Sequence, residues 1–215
     1  MKDLIDAMSS IRRAVGEGKL PAGDAHVVTA SRTYAAPIDD VWDALTNPER
    51  IPRWFLPIQG EMRVGGTYQF EGNAGGEIRE CEPPRRLLVT WVMGEPGPED
   101  SSIVEVLLGP TGEGETALKL EHTAVVPEEM WEQYGPGAVG VGWDLGLLGL
   151  GVHLAGEEVG NPEDLDKDPG IHAAMTASSH AWGVALAATG LDAESVSARV
   201  AATTAFYVPT ADGDG

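Results

Sequence analysis

The chain has 215 residues, 42% hydrophobic and 22% charged, which suits one globular core with an appendage and excludes wholesale disorder. Its 34 acidic residues outnumber 14 basic ones for a formal charge of -20, so neither nucleic acid nor a membrane surface is an expected partner. Cys81 is the sole cysteine, which excludes an internal disulfide framework and a multi-cysteine metal site; with the acidic start, Lys2-Asp3-Leu4-Ile5-Asp6, it leads to an expected cytoplasmic location.

Leu4, Ile5, Met8, Ile11 and Val15 recur at helical spacing before Gly16-Glu17-Gly18 and predict an N-terminal helical arm over 1–20. The β-branched run over 26–34, closed by Ala36-Pro37, predicts a strand. Asp39 or Asp40 can then cap a short helix through Val41, Trp42, Ala44 and Leu45, and a second turn carries Ile51, Trp54 and Phe55. From 58 to 126, short β-rich runs alternate with Gly, Pro and Asn clusters, which predicts an antiparallel meander with strands over 67–71, 77–82, 87–93, 102–108 and 116–125. In the last of these, Leu118, Leu120 and His122 share one face and Lys119, Glu121 and Thr123 the other, so one face of the sheet is apolar and the reverse is wet.

A helical turn over 127–134 precedes the most apolar segment, 137–154, whose stripes of Val139, Trp143, Leu147, Leu150, Leu154 and of Val141, Leu145, Leu148, Val152 predict a buried helix. Glycines at 137, 140, 142, 146, 149 and 151 each weaken that helix by up to about 1 kcal/mol, a cost that implies a close approach by a neighbour or a gap beside it. The segment 156–170 is acidic and loop-like. Asp168-Pro169 then opens a helix through Ala173, Met175, Ala181, Trp182 and Leu186 to Gly190, and a last helix runs from about Asp192 to Phe206-Tyr207. Residues 156–208 thus form a C-terminal helical extension of the same domain, and 209–215 a disordered tail.

Strand, two short helices, antiparallel meander and long helix follow the order of the helix-grip fold: α+β, a curved antiparallel sheet wrapped around a long C-terminal helix, here with extra C-terminal helices. The blocks Arg32-Thr33-Tyr34-Ala35-Ala36-Pro37, Val41-Trp42-Asp43-Ala44-Leu45-Thr46, Trp54-Phe55, Gly65-Gly66-Thr67-Tyr68, Pro83-Pro84-Arg85-Arg86-Leu87 with Trp91, and Gly142-Trp143 resemble the START-like SRPBCC superfamily over 26–155. Within it they resemble the branch named after the C-terminal domain of the heat-shock-protein ATPase activator. The superfamily includes lipid carriers, polyketide aromatases and cyclases, and hormone receptors, so the resemblance implies a fold with a cavity and leaves the function open. Three readings follow from it: a cytosolic carrier or sensor of an apolar small molecule, a cavity enzyme doing acid–base chemistry of cyclase, dehydratase or isomerase type, and a protein-interaction or chaperone-regulating domain. Met175, Trp182, Leu186, Phe206 and Tyr207 supply enough apolar area either to roof the cavity or to cover a partner, so a homodimer is a further expectation.

The candidate ligand-binding residues are Trp54, Phe55, Tyr68, Phe70, Trp91, Leu120, His122 and Trp143, although core packing explains the aromatics equally well. Candidate catalytic groups are His122, an ionisable group among leucines; Asp144, the sole charge between Gly135 and His153; and Tyr68, whose hydroxyl can donate to a carbonyl. Asp144 either enters the cavity as a desolvated carboxylate or marks a solvated helix stripe. Cys81 reads as a small strand hydrophobe. The glycine runs 137–142 and 146–151 mimic a dinucleotide fingerprint but lie in a helix after an antiparallel sheet, so no nucleotide cofactor is expected. His153 with Glu157 and His172 with His180 lack a third ligand at a telling spacing, so no metal is expected either.

Overall fold

Alternating burial along the central strands decides the architecture. Val104, Val106 and Leu108 on one strand, and Leu118, Leu120 and His122 on the next, are buried while their neighbours in sequence face outward. The computed structural model describes residues 2–94, 100–160 and 167–208. In chain order it contains α1 (Lys2–Ser9), β1 (Arg12–Leu20), β2 (Gly23–Tyr34), α2 (Ile38–Thr46), a 3-10 turn (Ile51–Arg53), β3 (Ile58–Gly60), β4 (Thr67–Phe70), β5 (Gly75–Glu82), β6 (Arg86–Thr90), β7 (Ser102–Gly112), β8 (Glu115–Ala124), α3 (Glu128–Tyr134), α4 (Gly137–Leu154), α5 (Pro169–Ala187) and α6 (Ala193–Tyr207). Among the described residues the strands form one curved antiparallel sheet ordered β1-β2-β8-β7-β6-β5-β4-β3.

The N-terminal arm differs from expectation. Its helix stops at Ser9, and Arg12–Leu20 is a strand in register with β2, pairing Arg12 with Ser31 and Leu20 with Gly23. Gly18 is there to admit a neighbour: a Cβ on it would lie 2.9 Å from Val27 Cγ2. The short edge strand β3 is a further element absent from the sequence reading. At the expected helix starts, Asp168 accepts from the Gly170 and Ile171 amides ahead of Pro169, and Asp192 accepts from the Ser195 amide, so both cap their helices. Asp39 and Asp40 instead fall inside the first turn of α2, where they favour the helix dipole, and Pro37 occupies the N-cap.

α4 is long and apolar enough, by length and composition, to cross a bilayer, but here it is a core helix with the sheet on one side and α5 on the other. Its glycines serve both purposes expected of them. A Cβ on Gly140 would sit 2.3 Å from the Trp182 ring of α5, and one on Gly149 would lie 2.7 Å from the Trp54 carbonyl, whereas one on Gly146 would meet only Phe55, at 3.9 Å. Met175, Trp182 and Leu186 are buried in this helical layer, so they neither roof the cavity nor stand free for a partner; Phe206 is exposed. Residues 161–166 of the acidic loop and the 209–215 tail lie outside the described residues.

Candidate functional site

Between the apolar sheet face and α4 lies a cavity of about 160 Å³. Dry apolar cavities of about 150 Å³ accept a molecule the size of benzene, so the space is sufficient for a small apolar guest. Its floor is aliphatic: Ile78, Val89, Val104, Val106, Leu118 and Leu120 from β5 to β8. Leu147 and Leu150 of α4 close it from above, and Leu45, Ile51 and Ile58 from the side.

One flank is aromatic. Ring contacts run from Trp54 to Phe55 (centroids 5.6 Å apart), Phe55 to Phe70 (5.0 Å, edge to face), Phe70 to Tyr68 and Trp91 (5.6 and 5.7 Å), and Trp91 to Trp143 (4.7 Å). Such packing adds to the stabilisation from buried area alone. Two of the polar atoms of these rings are tied down here: Tyr68 Oη donates to the Thr90 carbonyl at 2.7 Å and Trp54 Nε1 to the Ala44 carbonyl at 2.9 Å. Burial pushes the Tyr68 phenol well above its ordinary range, so it remains protonated.

Trp54, Phe55, Tyr68, Phe70, Trp91, Leu120 and Trp143 all border the cavity. His122 does not, which corrects its place among the lining candidates. It stands behind Trp143, whose Nε1 donates to His122 Nδ1 at 3.2 Å, while His122 Nε2 lies 2.8 Å from Ser102 Oγ. Because Nδ1 accepts, the neutral imidazole carries its proton on Nε2 and donates to Ser102. Burial lowers its pKa to about 4.

Asp144 takes neither of the positions expected of it. It is fully buried on the side of α4 away from the cavity, where its Oδ2 accepts from Arg13 Nε at 2.8 Å, from Trp182 Nε1 at 3.0 Å and from Ser178 Oγ. Arg13 also donates to the Ile11 and Met8 carbonyls. Burial pushes the Asp144 carboxyl upward against the opposing pull of the Arg13 charge and the Ser178, Arg13 and Trp182 hydrogen bonds. The stripe is dry because β1 and α5 cover it, and both come from segments remote in sequence.

Residues missed by the sequence reading mark the cavity's edge. Met62, Arg63, Cys81 and Leu87 border it; Arg63 and Cys81 are exposed. Partial burial raises the Cys81 thiol pKa, which disfavours a reactive thiolate. Arg79 pairs with Glu77 and, at 2.7 Å, with Asp100, while Glu80 pairs with Arg86 on the rim. Among the described residues no group of three or more His, Cys, Asp or Glu side chains is placed to hold a metal ion.

Residues 35–154, more than half the chain and all of the cavity wall, match the family described as Activator of Hsp90 ATPase homolog 1-like protein. The chain belongs to this family. In the activator-like proteins the helix-grip fold of the SRPBCC superfamily supplies the sheet and the gripped helix seen here. The crystal structure of CalU16 from Micromonospora echinospora is 37% identical over 82% of this chain and 98% of its own, with a TM-score of 0.66; its solution structure gives 36%, 83%, 96% and 0.68. DynU16, a protein in the dynemicin biosynthetic locus, is 26% identical over 60% of this chain and 47% of its own, with a TM-score of 0.51. No curated protein matches the chain. The likeness to CalU16 extends beyond the activator-like span, which by itself omits Arg13, Ser178 and Trp182.

Proposed function

We propose that this activator-like protein binds an apolar small molecule in the cavity between sheet and α4, as a carrier or sensor. The observation that carries the reading is the cavity itself, whose wall is almost wholly aliphatic and aromatic. Its volume lies within a continuous core that a sequence of this length could otherwise have filled, and Gly146 faces it where a larger helix former would be more stable. DynU16 comes from the dynemicin biosynthetic locus, which supports a small molecule as the ligand class. An acid–base enzyme is less well supported, because His122 and Asp144 are both held away from the cavity and the Tyr68 proton is retained.

Thermal denaturation with a panel of apolar compounds tests the reading. A binder raises the melting temperature with the logarithm of its concentration above Kd, by the equivalent of about 2.7 kcal/mol at a hundredfold excess over Kd. Gly146→Leu, whose Cβ would meet only Phe55 at 3.9 Å, puts a side chain into the space and should remove the rise while the protein still folds. If no compound moves the wild-type transition and native mass spectrometry finds the protein empty, the reading falls.

A further inference from the structure

The cavity is graded in polarity from depth to mouth. Of the polar side-chain groups in the wall, four are already spent on the protein: Tyr68 Oη on the Thr90 carbonyl, Trp54 Nε1 on the Ala44 carbonyl, Trp143 Nε1 on His122, and Thr46 Oγ1 on the Trp42 carbonyl at 2.8 Å. Even the Leu147 carbonyl, on the helix that closes the space, accepts twice, from Arg32 Nη1 and Tyr34 Oη at 2.9 Å each. The other polar lining groups belong to side chains that reach the surface. Arg63 and Cys81 are exposed; Arg63 Nη2 donates to Glu61 and leaves the other guanidinium N–H groups without a side-chain partner among the described residues, and the half-buried Trp91 makes no side-chain hydrogen bond among them. A polar group on a guest would therefore lose its water at depth and gain no partner there, whereas at the mouth it would keep both.

We infer that the cavity admits its ligand hydrocarbon end first: the buried part is a flat, apolar ring system without hydrogen-bonding groups, and a single acceptor stays at the outer end beside Arg63 and Cys81. The aromatic flank from Trp54 to Trp143 favours rings for the inserted part. The inference rests on the proposed binding function and narrows its ligand class.

Isothermal titration of the full chain with naphthalene, 2-acetonaphthone and 2,6-dihydroxynaphthalene tests it. Naphthalene and the one-ended ketone bind within about threefold of each other, and the diol, which must bury one hydroxyl without a partner, binds at least about tenfold more weakly. Arg63→Gln weakens the ketone at least about threefold more than it weakens naphthalene. A diol that matches naphthalene overturns the graded wall while leaving a binding site in place. Equal effects of Arg63→Gln on ketone and hydrocarbon overturn the outward orientation. Failure of all three probes to bind, with the wider apolar panel also inactive, removes the proposed function and the inference with it; failure of these three alone removes only the inference.

Discussion

His122 shows how a buried ionisable group becomes a structural one. Trp143 donates to one imidazole nitrogen and Ser102 accepts from the other, so a second ring proton would face the Trp143 N–H. Burial therefore holds the folded pKa at about 4, below the ordinary histidine value. Between the two values the unfolded chain binds the proton and the folded chain does not, so stability is complete near neutrality and falls as pH drops from about 6.5 toward 4. Between pH 7 and pH 5 this one residue should remove about 2 kcal/mol. His122→Gln keeps an acceptor for Trp143 and a donor for Ser102, so urea denaturation at the two pH values should show that loss reduced by most of its size. An unchanged pH slope in the variant would assign the acid sensitivity elsewhere. Strand alternation was enough to place this residue in the core. It could not reveal that Ser102 and Trp143, about twenty positions away on either side, would take up both nitrogens.

α4 was legible at the level of the element, from its first residue to its last, because apolar stripes on every side of a helix keep it out of water. Its glycines were legible as a class and not one by one. Gly140 makes room for the Trp182 ring, and Gly→Ala there should destabilise by about 1–3 kcal/mol despite alanine's better helix propensity. At Gly142 the new Cβ would meet only Tyr207 Oη, at 3.6 Å, and the same change should be neutral or stabilise by up to about 1 kcal/mol. Chemical denaturation of the pair separates close packing from general helix weakness. β1 was misread for a related reason: Ile11 and Val15 continue the helical spacing of Leu4 and Met8 by coincidence, and the glycines at 16 and 18 look like a helix stop when both lie within a strand and Gly18 makes room for Val27 of its neighbour. Local periodicity identifies an element poorly where its partner, here β2, supplies the decisive hydrogen bonds. The cavity wall was more legible than its polar groups, since aromatics in β-rich runs are easily placed on an inner face whereas the acceptors of their N–H and O–H groups lie on other elements.

At the scale of the whole molecule, Asp144 joins three parts of the chain: β1 through Arg13, its own helix, and α5 through Ser178 and Trp182. Both charged side chains are nearly or wholly out of solvent, at 6% and 0% exposure. Removing one partner leaves the other buried without compensation, so Asp144→Ala should cost about 3–5 kcal/mol. Arg13→Met combined with Asp144→Leu should cost less than the two single changes added together, as expected where the charges depend on each other. Amide exchange in Asp144→Ala should accelerate in β1 and α5 together; acceleration in one alone would show that the cluster does not couple them.

That junction also bears on how the protein is made. Arg13 leaves the ribosome early, whereas Ser178 and Trp182 follow it by more than 160 residues. Between the end of α4 at Leu154 and the end of α5 at Ala187 the gripped helix has no stable outer cover, an interval on the order of a few seconds at ordinary elongation rates. Chaperone dependence should be greatest for chains that have emerged through α4 and not yet through α5.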